Sequence, residues 1–162
     1  MRTILFVCTG NTCRSPMAEA IAREALGGGL LGDVGPYLVV SAGVSASDGA
    51  PTTPETVAAL ERRGIELDGR STPLSAEMIR RADAVFCMTG SHATAARALV
   101  GGAPEHEAKI QRLDPGGDVE DPLGSGQAAY DALAERFAAL IPQRLKEVLV
   151  HEDCSGIGPS GR

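Results

Sequence analysis

Residues 4–7, Ile-Leu-Phe-Val, form an unbroken apolar run near the start of the chain. A run with no polar alternation suits a strand buried on both faces, not one at a wet surface. It passes into a short loop of small and polar residues, Cys8 to Arg14, and then to Ser15-Pro16. There a helix is expected to begin, with Ser15 able to cap it and Pro16 pre-set for the first helical position. A doubly buried strand followed closely by a helix opens a βαβ unit, and it commits the chain to a sheet covered on both sides.

The rest of the chain repeats that alternation. The spacing predicts a helix over 16–27 with Met17, Ile21 and Leu26 on its inner stripe, ended by Gly27-Gly28-Gly29. A linker-like turn follows over 30–36. Further buried strands are expected at Tyr37–Val40, Ala84–Met88 and, more weakly, Ile110–Leu113. Between them lie a helix starting at Thr53-Pro54-Glu55, with Val57 and Leu60 inward, a short one from Ser75 and one over 91–100. After a Gly- and Asp-rich loop at 114–126 comes a long helix. In it Tyr130, Leu133, Phe137, Ile141, Leu145 and Val148 recur at helical spacing, and Pro142 is expected to kink or interrupt it. In a sheet of this kind ligands sit outside the carboxyl ends of the strands, so the loop after the first strand is the place to look.

A length of 162 residues suits one domain, expected over 1–150, with a frayed tail at 151–162. The net charge of −6 argues against non-specific binding to nucleic acid or to an anionic membrane. No apolar stretch nears the roughly 20 residues of a membrane span, and Met1-Arg2-Thr3 has no signal-peptide plan. Four cysteines are too few for a disulfide scaffold. The expectation is a cytoplasmic monomer with reduced thiols.

The loop over 8–15 carries the chemistry. Where a loop enters a helix, backbone N–H groups point into its cup and the helix dipole favours an anion there. Cys8 at the lip is then suited to be a thiolate, and Arg14 offers a planar fork for phosphate-like oxygens. No metal or other cofactor is expected. Cys87 lies in a predicted strand and Cys154 in the tail, so Cys8 and Cys13 lack a second ligand pair at zinc spacing. His92, His106 and His151 stand alone and are expected at the surface. The loop lacks the lysine and second glycine of a Walker motif, and Gly27 to Gly29 follows a helix, not a strand, so it is no dinucleotide fingerprint.

The stretch Cys8-Thr9-Gly10-Asn11-Thr12-Cys13-Arg14-Ser15-Pro16-Met17-Ala18-Glu19 resembles the active-site loop of the low-molecular-weight protein tyrosine phosphatases. The match continues through Ser41-Ala42-Gly43 and reaches Asp121-Pro122, nearly the whole chain. Within that family the loop is most similar to the bacterial protein arginine phosphatases, which share a threonine where this chain has Thr12. The fold then expected is an α/β three-layer doubly wound sandwich. Its sheet is four-stranded and parallel, in the strand order 2-1-3-4, with helices on both faces.

The resemblance implies that Cys8 attacks phosphorus in line and forms a phosphocysteine. The loop residues Thr9, Gly10, Asn11, Thr12 and Cys13, together with Arg14, hold the equatorial oxygens. It also implies that Asn11 braces the loop and that the Ser15 hydroxyl bonds the Cys8 sulfur. Two Asp-Pro dipeptides offer a proton donor, Asp114-Pro115 and Asp121-Pro122. The family's general acid precedes the last long helix, which favours Asp121; Asp114 is seven residues too early. Cys13 either packs or pairs with Cys8 as a reversible disulfide, and loop geometry decides which.

The leading expectation is hydrolysis of phosphoarginine on proteins; phosphotyrosine is the alternative. Thr12 puts a branched hydroxyl on the cradle wall, and Leu123 stands where tyrosine-specific relatives usually carry an aromatic residue after Asp-Pro. A thioredoxin-coupled arsenate reductase would need two more cysteines, seven apart in that branch. Position 94, seven after Cys87, is a threonine. A protein that only binds phosphate would need neither the thiolate nor the acid.

Overall fold

The computed structural model describes residues 1–29, 31–32 and 35–154, with side chains described as far as 150. Its elements are β1 (Arg2–Cys8), α1 (Arg14–Gly27), β2 (Tyr37–Gly43), α2 (Pro54–Glu61), α3 (Ala76–Arg81), β3 (Ala84–Cys87), α4 (Gly90–Leu99), α5 (Pro104–Glu107), β4 (Ile110–Arg112) and α6 (Gln127–Cys154). The four strands make one parallel sheet in the order β2-β1-β3-β4. Fold class and strand order are those expected.

Strand pleating explains the three layers. Successive side chains point to opposite faces, so β1 divides its apolar run between two cores. Ile4, Phe6 and Cys8 pack with α1 and α6 residues such as Met17, Ile21, Phe137 and Ile141. Leu5 and Val7 pack with Ile79 of α3 and Ala93 and Ala96 of α4. All four residues of the run, Ile4 to Val7, are completely buried. Phe6 of β1 stacks on Phe86 of β3, ring centroids 5.7 Å apart. The buried Arg144 of α6 lies over the Phe86 ring and donates from Nε to the Leu113 carbonyl at 2.9 Å, tying α6 to the sheet edge.

Several local expectations need correction. α1 starts at Arg14 with Cys13 at the N-cap and no side-chain cap, so Ser15 and Pro16 are its second and third residues. Ser15 is not free to cap, because its hydroxyl turns to the Cys8 sulfur. β2 runs on to Gly43, where Cys8 pairs with Gly43 across the sheet. The helical turn α5 carries no buried residue and so no apolar periodicity to betray it. α6 is not interrupted at Pro142. Proline inside a helix costs about 3 kcal/mol, and here the burial of Tyr130, Phe137, Ile141, Leu145 and Leu149 along one stripe offsets it. α6 also continues past Val150 to Cys154, into the stretch expected to be tail; 155–162 lie outside the described residues, as do 30, 33 and 34 of the expected turn.

The carboxyl ends of the strands are stitched into their loops. Val44 N–H donates to the Cys8 carbonyl at 2.9 Å, Met88 N–H to Val7 at 3.0 Å and Val119 N–H to Met88 at 2.8 Å. These bonds fix, around one point, the loop after β1, the start of α4 and the loop before α6.

Candidate active site

Cys8 ends β1 and is 2% exposed. The loop over 9–13 curls round it into α1. The Asn11 amide N–H points at the Cys8 sulfur, 3.3 Å away, and the Ser15 hydroxyl oxygen stands 2.9 Å from the same sulfur. The first-turn amides of a helix have no partner within it. In α1 no side chain caps them and no acidic residue sits in the first turn, so the positive end of the dipole is left facing the cup.

Asn11 explains why the loop holds this shape. Its φ is +55°, a left-handed backbone that asparagine tolerates better than most residues. Its side chain then makes three hydrogen bonds, spending both amide protons. Nδ2 donates to Ser15 Oγ at 2.8 Å and to Ser41 Oγ at 2.9 Å, and Oδ1 accepts from Thr72 N–H at 2.8 Å. A hydroxyl has one proton and two lone pairs. With Asn11 donating into one lone pair, Ser15 keeps its proton for the Cys8 sulfur, or for the Ala42 carbonyl at a longer 3.4 Å.

Gly43 is the neighbouring strand's contribution. A Cβ there would stand 2.4 Å from the Thr9 carbonyl oxygen and 2.9 Å from the Asn11 nitrogen, the amide aimed at the sulfur. Both are backbone atoms and neither can swing aside. Gly43→Ala is therefore expected to cost about 1–3 kcal/mol of stability and to lower kcat/KM more than it lowers Tm, because what must move is the cradle. Thermal melts beside steady-state rates check this.

Arg14 is 5% exposed and fixed from two sides. Nη1 donates to the Val119 carbonyl at 2.9 Å, and Nη2 to Thr9 Oγ1 at 3.3 Å. Nη2 also lies 3.8 Å from Asp121 Oδ2, a carboxylate that is half exposed. Asp121 Oδ1 accepts from Leu123 N–H at 3.1 Å. Asp114 is engaged elsewhere. It accepts from Arg136 at 2.6 Å and Gly116 N–H at 2.8 Å, and these bonds hold its carboxyl below the usual range. Of the two Asp-Pro candidates, Asp121 is the one that pairs with the Arg14 guanidinium, while Asp114 pairs with Arg136.

The Cys13 sulfur lies among hydroxyls, 3.8 Å from Thr12 Oγ1 and 3.6 Å from both Thr53 Oγ1 and Tyr130 Oη. Cys87 is wholly buried in β3, and burial pushes its thiol up to about 12. Among the described residues no three His, Cys, Asp or Glu side chains are grouped to hold a metal, and no helix is long and apolar enough to cross a membrane.

One residue expected at the surface is not there. His92, in the first turn of α4, is 5% exposed, and its Nε2 lies 2.7 Å from Thr9 Oγ1. Nothing in the spacing of the histidines signals this, because it depends on where the first turn of α4 meets the loop after β1. Ser41 and the Thr72 amide, which hold Asn11, carry no local signal either; Ser41 enters the sequence reading only within Ser41-Ala42-Gly43.

Residues 3–152 match the model of a family described as low molecular weight phosphotyrosine protein phosphatase. The chain belongs to that family. Among its relatives, the protein-arginine-phosphatase of Bacillus subtilis is 37% identical over 152 residues, covering 90% of this chain and 95% of that one. A probable low molecular weight protein-tyrosine-phosphatase of Ralstonia solanacearum is 35% identical over 138 residues, covering 83% and 88%. The solved arginine phosphatase of Geobacillus stearothermophilus superposes with a TM-score of 0.79 at 35% identity, covering 98% of this chain and 99% of that one.

Proposed function

We propose that the chain is a cysteine-dependent protein phosphatase acting on phosphoarginine, and that Cys8, Arg14 and Asp121 carry the reaction. The observation that carries this reading is the Cys8 sulfur held by the Asn11 amide and the Ser15 hydroxyl, beside an Arg14 that is itself held. Those two contacts hold the sulfur in place for in-line attack. The thiolate attacks phosphorus, the S–P bond forms and the P–N bond breaks. Loop amides of residues 9–13, with Arg14, hold the three equatorial oxygens as charge develops on them. Asp121 protonates the departing guanidino nitrogen. It then takes a proton from water as that water attacks phosphorus and the S–P bond breaks, releasing phosphate and the free thiolate.

Three things support arginine over tyrosine. The 37% identical Bacillus relative carries that name. Thr12, half-buried, puts a branched, hydroxyl-bearing side chain on the loop that would form the cradle wall, near Gly10. The mouth is acidic and carries no aromatic ring at 123. Asp118, Glu120 and Asp121 are exposed, and the residue after Asp121-Pro122 is Leu123, 67% exposed. Carboxylates suit a cationic guanidinium; a phenyl leaving group would gain more from a ring to stack on.

The test is kcat/KM on matched phosphoarginine and phosphotyrosine peptides. A preference of at least about tenfold for phosphoarginine is expected, which is about 1.4 kcal/mol of transition-state discrimination; tenfold in the other direction overturns the choice. Thr12→Ile should move the ratio toward phosphotyrosine. The reading needs no cofactor and no nucleic acid. It takes residues 1–150 as one catalytic unit that works on phosphorylated proteins as a cytoplasmic monomer.

A further inference from the structure

His92 is a buried titratable side chain that the reaction above leaves unused. Its Nδ1 is buried with no hydrogen-bond partner among the described residues, an arrangement that costs stability unless something is gained from it. Its other ring nitrogen, Nε2, meets the Thr9 hydroxyl at 2.7 Å. That hydroxyl also accepts from Arg14 Nη2. The chain of contacts therefore runs from the first turn of α4, through one threonine oxygen, to the guanidinium.

A second tie ends on the same turn. Asp118 Oδ1 accepts from Gly90 N–H at 2.9 Å, and Val119, next in the chain, offers the carbonyl that takes Arg14 Nη1. Both supports of Arg14 thus stand on residues 90–92. Thr89 caps this turn by accepting from His92 N–H at 3.2 Å.

We propose that His92 is a positioning residue for Arg14, acting through the Thr9 hydroxyl. Thr9 has one proton to place. If it donates to an unprotonated His92 Nε2, its lone pairs are left for Arg14, and the guanidinium is aimed into the cup instead of rotating about its long stem. Three charged groups face the imidazole: Arg14 from α1, and Asp118 and Asp121 from the loop before α6. Burial first, then Arg14, lowers the ring to about 4, outweighing the two carboxylates, so the ring is neutral at physiological pH and able to accept.

The inference rests on the phosphatase reading, and its test separates the two. His92→Leu, Thr9→Val and the double variant are compared in kcat/KM and in affinity for vanadate, which reports on the cradle without any hydrolysis. Each single variant is expected to lose roughly tenfold in both, and the double variant to be no worse than the poorer single, since both cut one chain of contacts. His92→Gln, which keeps an acceptor, should recover part of the loss. If the losses multiply, or vanadate affinity is unchanged while the melting temperature falls, His92 only packs and the inference is overturned. Should His92→Leu not fold, His92→Phe, which keeps a ring of similar size without an acceptor, paired with Thr9→Val gives the same cycle. A wild-type chain that binds vanadate through the His92–Thr9–Arg14 chain yet hydrolyses neither phosphopeptide would sink the phosphatase reading and leave this one standing.

Discussion

Cys8→Ser should reduce turnover on any phosphopeptide by at least roughly 10⁴-fold, the scale on which enzymes lose rate when a covalent nucleophile is removed. The fold itself should survive. Serine is close to cysteine in size, and its hydroxyl can still accept from the Asn11 amide, which now points at the sulfur from 3.3 Å. What is lost is turnover: a serine oxygen is a poorer nucleophile than a thiolate and, once phosphorylated, a poorer leaving group. Rates with circular dichroism on the same samples check it. A variant that is folded and still hydrolyses at a tenth of the native rate would mean that the attack comes from elsewhere.

Arg14→Lys is the second large effect, on the order of 10³-fold in kcat/KM. The charge is kept, so a purely Coulombic role for Arg14 predicts a small loss. The geometry argues otherwise. One guanidinium nitrogen is held by the Val119 carbonyl and the other by Thr9 Oγ1, in a position with 5% exposure. A lysine ammonium is a single point on a flexible stem. It can satisfy one of those partners while the other is left buried and unpaired, and it cannot present two parallel N–H groups to a phosphate. Most of the loss should fall on kcat, since the oxygens gain charge on the way to the transition state. Steady-state kcat and KM with phosphate inhibition constants separate the two accounts.

These two effects also mark how far the sequence could be read. The sheet was legible because Ile4–Val7 and Ala84–Cys87 are apolar without interruption and each gives way to a helical pattern, a signal carried by local residues. The position of Cys8 at the end of β1, and of Arg14 where the next helix begins, follows from that pattern. Start and stop details were less legible. Ser15-Pro16 looks like a cap from its neighbours in sequence, but Ser15 answers to a sulfur seven residues back. Pro142 reads locally as a break, yet α6 buries too much on either side to stop. The brace from Ser41 and Thr72 to Asn11, and the burial of His92 against Thr9, depend on which loops the parallel sheet gathers at its carboxyl edge. No window of sequence contains that information.

The most direct measurement is acid quenching during turnover, with the site of phosphate attachment found by mass spectrometry. The account predicts phosphate on the peptide that carries Cys8, present in the native chain and missing from Cys8→Ala. Native enzyme quenched at full turnover with no phosphate on that peptide, while Asp121→Asn likewise accumulates none, would contradict it.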